Sequence, residues 1–114
     1  MIPDRQTWLS GYRIMWMLVM FDLPVTEKQQ RRAATNFRNF LLDQGFHMAQ
    51  FSIYYRLLGG RDAVHSMEAK IQAHVPNRGS VHVLTITDKQ YEGIRTYQGK
   101  RRDSPKKPQQ LALF

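Results

Sequence analysis

The sequence predicts an α+β domain in which strands and helices alternate along one chain. Three observations carry that prediction. The run Ile14 to Phe21 is apolar at both odd and even positions and closes on Asp22, the pattern of a strand buried on both faces. Two later stretches place apolar residues at helical spacing. Between them, Phe46 to Leu57 alternates with the period of a strand. A length of 114 residues allows one domain.

The elements follow in order. After Asp22, Leu23-Pro24 breaks the first strand, and Thr26 with Gln29 fits a capping box that starts a helix. Ala33, Phe37, Phe40, Leu41 and Gln44 fall on one side of that helix. Lys28, Arg31, Arg32 and Arg38 fall on the other. Gly45 suits a left-handed stop. In the alternating run, Ala49, Phe51, Ile53, Tyr55 and Leu57 share one face; Gln50, Ser52, Tyr54 and Arg56 share the other. Gly59-Gly60 turns the chain into a second helix carrying Val64, Met67, Ile71 and Val75, which Pro76 ends. Asn77 to Ser80 is a turn and Val81 to Thr87 a strand. Asp88 to Glu92 is a single helical turn, and Gly93 to Gln98 a short last strand.

With the middle strand region taken as one long or bent element, this order gives βαββαβ or a close variant. That is the ferredoxin-like split βαβ plan, with an extra C-terminal strand. Helices cover one face of such a sheet. The other face carries Trp16, Leu18 and Met20, or their opposite-parity neighbours, and also needs cover. A symmetric homodimer packed sheet on sheet supplies it.

Lys and Arg number 17 against 9 Asp and Glu, a net charge of +8, which favours polyanionic partners. The absence of cysteine excludes disulfides, thiolate metal sites and cysteine nucleophiles, and is compatible with a cytoplasmic setting. Ile14 to Phe21 is far too short to span a bilayer, and no signal cleavage site follows it, so no membrane role is expected. The domain is expected over residues 14–98, preceded by an extension, 1–13. Residues 99–110, with Lys100, Arg101, Arg102, Lys106 and Lys107 among prolines, read as a flexible basic linker. The apolar cluster at 111–114 reads as a docking tail.

Candidates for chemistry are few. Asp22 closes a buried strand, so it is either a turn residue or a ligand. One carboxylate alone is a sparse magnesium site, but a two-fold dimer could bring two copies together. His47, His65, His74 and His82 lack metal-ligand spacing. Gly59-Gly60 lacks the Lys-Ser/Thr of a phosphate loop, and Ser52 has no base visible in sequence.

Four segments resemble one family. Met17-Leu18-Val19-Met20-Phe21-Asp22-Leu23-Pro24 is similar to the opening strand and aspartate of the CRISPR-associated Cas-two proteins, small proteins of spacer acquisition. Arg31-Arg32, with Leu42 and Gly45 after it, is similar to the family's first helix. Gln50-Phe51-Ser52-Ile53-Tyr54 matches its second-strand signature: Gln, any residue, Ser, a β-branched residue and an aromatic. Thr87-Asp88-Lys89-Gln90 resembles the segment after the fourth strand in the type II branch. The resemblance spans roughly Ile14 to Gln98. It implies a ferredoxin-like fold and a symmetric homodimer seated between dimers of the Cas-one integrase, helping to hold prespacer DNA. It also implies a metal-dependent nuclease acting on RNA or DNA in some members, with Asp22 as catalytic residue and magnesium ligand across the dimer axis.

Two function classes follow: a scaffold that binds double-stranded DNA, and a magnesium-dependent endoribonuclease or deoxyribonuclease. An RNA-recognition module of the same fold is set aside, because the central strands lack its aromatic Lys/Arg-Gly-Phe-type motif. Lys28, Arg31, Arg32 and Arg38 are the expected backbone contacts. In the tail, Gln110-Leu111-Ala112-Leu113-Phe114 resembles the peptide by which bacterial proteins dock on the replicative sliding clamp. There Gln110 would hydrogen-bond beside a pocket filled by Leu111, Leu113 and Phe114. Folding back on its own dimer and docking on the integrase are the other readings of that tail.

Overall fold

A computed structural model of the chain describes residues 13–99. Nearly all of the extension 1–13, nearly all of the linker 99–110 and the tail 111–114, with Gln110, Leu111, Leu113 and Phe114, lie outside the described residues. The elements run β1 (Met15–Asp22), α1 (Lys28–Asp43), β2 (His47–Gln50), β3 (Ile53–Leu58), α2 (Arg61–His74), β4 (Ser80–Thr87) and α3 (Asp88–Glu92). The sheet order is β2-β3-β1-β4, and all three ladders are antiparallel. This is the ferredoxin-like βαββαβ plan.

The central place of β1 explains its unbroken apolar character. Its odd side, Met17, Val19 and Phe21, is buried in the core with Phe37 and Leu41 of α1, Tyr54 and Leu58 of β3, and Val64, Met67 and Ile71 of α2. The Phe21 ring meets Phe37 edge-on at 5.3 Å and stacks with Tyr54 at 5.7 Å. Its even side carries Trp16, Leu18 and Met20 to the opposite sheet face. There the ladder partners are Leu57, Tyr55 and Ile53 on β3, and Ile86, Leu84 and His82 on β4. Leu57 and Leu84 remain 44% and 47% exposed on that face.

Four details differ from the sequence expectation. The capping box of α1 sits one residue later, at Glu27 and Gln30, because Gln30 Oε1 accepts from Glu27 N–H at 3.0 Å and Arg31 N–H bonds to Glu27 O. Thr26 instead gives its carbonyl to the Arg31 guanidinium. The alternating run is not one strand: the chain reverses at Phe51-Ser52 and makes the β2–β3 hairpin. A two-residue turn switches which parity faces the core, and Tyr54-Tyr55 and Leu57-Leu58 are apolar at both parities, so the switch left no mark in the pattern. A bulge between Met48 and Gln50 shifts the register. Because Gln50 pairs with Ile53 across the turn, odd positions before it share a face with even positions after it: Ala49 and Tyr54 are both buried, Tyr55 lies on the opposite sheet face, and Phe51 in the turn is exposed. Val75 lies just beyond α2 and is exposed. Finally, Gly93 to Gln98 forms no strand in the single chain, since within the described residues it has no ladder partner.

Candidate functional site at the end of the first strand

Asp22 is the last residue of β1 and is exposed. It pairs with Ser80 at the start of β4. On the other flank, Phe21 N–H donates to Ser52 O at 3.0 Å, which ties the hairpin turn to the same strand end. Gly79 closes the third side at φ +93°. A Cβ there would lie 2.6 Å from the Asp22 carbonyl oxygen, so only glycine permits this approach. The aspartate is therefore held by backbone on both neighbouring strands while its carboxylate faces solvent.

The five residues after Asp22 lead directly into α1, which brings that helix's first turns to the same end of the sheet. Lys28 and Arg32 are exposed there. Arg31 is exposed too, but its NH1 group donates to Val25 O at 3.1 Å and Thr26 O at 2.9 Å, fastening the loop to the helix. A mixed cavity of about 550 Å³ opens beside this loop, lined by Pro24, Glu27, Gln30, Pro76 and Arg78 among others.

Arg38 does not join the basic face. It is half-buried, and its Nε is fully enclosed with no hydrogen-bond partner, as is the Tyr54 hydroxyl. Burial pushes the Tyr54 pKa up from 10.0, against the opposing pull of the nearby Arg38 charge. A helical wheel places position 38 beside the apolar stripe, and the long side chain turns inward along it. The four expected cations thus divide into Lys28 and Arg32 free at the surface, Arg31 partly committed, and Arg38 tucked against the core.

The four histidines are exposed. Among the described residues no group of three His, Cys, Asp or Glu side chains is arranged to hold a metal ion. Asp22 does offer a hard oxygen donor in open solvent. This fits magnesium as one of the one or two carboxylates that such sites combine with water and phosphate.

Sequence reasoning missed an aromatic cluster at the other end of the open sheet face. Tyr91 of α3 stacks on Trp16 at 3.9 Å and 11°, and Tyr55 flanks both. Trp16 Nε1–H donates to Asp88 Oδ1 at 2.7 Å. Burial, with Tyr55 beside it, pushes the Tyr91 pKa up. The short helix is thereby pinned over part of the face, leaving Leu57 and Leu84 open. Tyr91, directly after Thr87-Asp88-Lys89-Gln90, was the available signal.

The family model "CRISPR associated protein Cas2" matches residues 15–94. The chain belongs to the CRISPR-associated Cas2 family. A Paracidovorax avenae protein named CRISPR-associated endoribonuclease Cas2 is 48% identical over 107 residues, covering 93% of this chain and 99% of its own. A Flavobacterium psychrophilum protein of the same name is 41% identical over the whole of both chains. A solved structure titled "Crystal structure of cas2" shares the fold at TM-score 0.56 and 18% identity, covering 82% of this chain and 95% of that one. Asp22, the β2–β3 hairpin and the aromatic cluster with α3 all fall inside the matched span. Among the described residues no helix is long and apolar enough to cross a membrane.

Proposed function

We propose that this Cas2 protein is a CRISPR adaptation subunit that works as a symmetric homodimer, binds double-stranded DNA and scaffolds the Cas-one integrase. We further assign it a magnesium-dependent phosphodiester-cleaving site at Asp22, acting on RNA. The observation that carries the reading is the family match across residues 15–94 together with an exposed Asp22 that backbone contacts fix at the strand end. The name of the relatives, endoribonuclease, supports RNA as the cleaved polymer.

The homodimer rests on the open sheet face. Leu57 and Leu84 are each nearly half exposed. Burying a whole leucine contributes about 1.5–3 kcal/mol, so covering both on each of two chains contributes several kcal/mol before ordering costs. Gly93 to Gln98, unpaired in one chain, is available to extend the partner's sheet edge.

At the site, Asp22 would hold the ion. A bound magnesium ion activates water and neutralises charge developing on the phosphate. Lys28 and Arg32 attract and seat the nucleic-acid backbone at the same end of the sheet. Pairing with Ser80, the close approach of Gly79 and the Phe21–Ser52 bond hold the Asp22 backbone in place at the strand end. For the tail, docking on a partner is the reading we favour over fold-back. Its sequence, Gln110-Leu111-Ala112-Leu113-Phe114, places apolar side chains beyond a stretch rich in Lys and Arg.

The deciding experiment compares Asp22→Ala with the parent in magnesium-dependent RNA cleavage, sedimentation and prespacer integration with the integrase. Cleavage is expected to vanish, while the dimer and integration persist. Parent-level cleavage by the variant, at equal purity, removes Asp22 from the chemistry. Loss of integration with an intact complex overturns the separation of scaffold from nuclease.

A further inference from the structure

Aromatic side chains in the described residues are almost all engaged. Phe21, Phe37, Phe46 and Tyr54 are buried; Trp16, Tyr55 and Tyr91 pack together; Phe40 stacks on His74 at 3.9 Å. Two are not. Tyr97, 86% exposed, lies in the unpaired segment after α3. Phe51, 71% exposed, lies in the two-residue turn of the β2–β3 hairpin.

Phe51 is the more informative, because its backbone is fixed on both sides. Gln50 pairs with Ile53 across the turn, and Ser52 O accepts from Phe21 N–H at 3.0 Å. The ring is therefore presented to water on a rigid support. It also stands at the Asp22 end of the sheet. Strands lie about 4.8 Å apart and successive Cα atoms about 3.8 Å apart, which puts the Phe51 and Asp22 backbones within roughly 10 Å. That is about three nucleotide steps at the 3.4 Å of a stacked strand. The turn lies past the end of the β1–β3 ladder, which stops at the pair Met20–Ile53.

We propose that Phe51 is a stacking platform for an unpaired base of single-stranded RNA whose phosphate rests at Asp22. The proposal rests on the reading of Asp22 as a phosphodiester site. Stacking on a rigid aromatic is open to every base, because each has a π-face, and it is closed to a base held inside a duplex. Phe51 thus selects unpaired RNA at the nuclease site, while the cations at the start of α1 hold phosphate irrespective of sequence or pairing.

The test uses the full chain without magnesium, so that cleavage plays no part. Binding of a labelled oligouridine and of an RNA duplex is measured for the parent, Phe51→Ala and Phe51→Trp. Phe51→Ala is expected to weaken oligouridine binding by about 5- to 150-fold, the range seen when a stacking aromatic is removed. Duplex binding should not change, and Phe51→Trp should retain the parent affinity. A single abasic position in the oligouridine should weaken the parent's binding and leave Phe51→Ala unaffected. Equal affinities for parent and Phe51→Ala overturn the proposal. So does an equal loss for single strand and duplex, or a shift of Phe51→Ala to monomer in sedimentation, which makes the ring a contact between copies. Because cleavage is not read, a catalytically intact Asp22→Ala removes the reading of Asp22 without altering these binding results.

Discussion

The division of the four expected cations changes what a salt titration should show. If Lys28, Arg31, Arg32 and Arg38 all met phosphate, together they would contribute about −3.6 to the slope of log affinity against log salt on duplex DNA, at about −0.9 per contact. The structure leaves Lys28 and Arg32 free, so the clean contribution from this face is about −1.8 per chain. Lys28→Ala and Arg32→Ala should each reduce the slope by about 0.9 with little effect on thermal stability. Between 50 and 200 mM salt, each such variant should lose roughly 3.5-fold less affinity than the parent does. Arg38→Met should behave otherwise. It removes a buried Nε that has no partner and keeps the apolar stem, so the unfolding midpoint should hold or rise and the slope stay unchanged. Fluorescence anisotropy over a salt series, with thermal melts on the same samples, reads both quantities. A slope that falls by about 0.9 for Arg38→Met would refute the division of the cations.

Three further outcomes are expected. Burial raises the Tyr54 pKa, so the folded state holds that proton more tightly than the unfolded chain does; stability from this source is present below pH 10 and falls as pH rises through the folded value. Tyr54→Phe should flatten that alkaline loss and, by removing a buried hydroxyl without a partner, should not lower stability at neutral pH; alkaline melts of the two proteins check both. Arg56 NH1 donates to Gln44 O at 2.6 Å just past the end of α1, and Arg56→Ala should cost about 1.5–3 kcal/mol in denaturant titrations, with Arg56→Lys recovering part of it. Deleting Leu111 to Phe114 should leave the melting of the isolated protein unchanged but abolish binding to one partner: loss of integrase copurification assigns the tail there, loss of peptide binding to purified sliding clamp assigns it to the clamp, and a lowered melting midpoint shows fold-back instead.

What the sequence could reveal followed from which signals have a single physical cause. The central strand was legible because a strand between two others, with helices over one face and the Trp16–Tyr55–Tyr91 cluster over part of the other, tolerates Met17, Leu18, Val19 and Met20 in succession. The single turn Asp88–Glu92 was legible because Thr87 and Gln90 form a reciprocal cap, confirmed by Gln90 N–H to Thr87 Oγ1 at 3.1 Å. The hairpin was hidden because Tyr54-Tyr55 and Leu57-Leu58 are apolar at both parities, which masked the switch of face that puts Ala49 and Tyr54 together in the core. Arg38 was hidden because its backbone position is polar-flanking while its side-chain direction depends on Tyr54, sixteen residues away.

Asp22 was legible as a position but not as a chemistry, and the reason bears on how the site works. Its exposure and backbone restraint are properties of one chain. No group of three metal-ligating side chains is arranged around it within the described residues, so one chain alone makes a sparse magnesium site. The open sheet face is likewise incomplete in one chain, with Leu57 and Leu84 half exposed beside a helix that covers only the Trp16 end. A two-fold pairing of sheets answers both deficits at once, since an isologous interface duplicates every residue it contains. Metal affinity and self-association are then linked equilibria: ion binding that needs two copies of Asp22 must strengthen the dimer by the same factor that dimerisation strengthens the ion. Sedimentation of the protein with and without magnesium therefore reads the shared-ligand arrangement directly. An association constant that does not respond to magnesium assigns any ion to one chain's carboxylate alone.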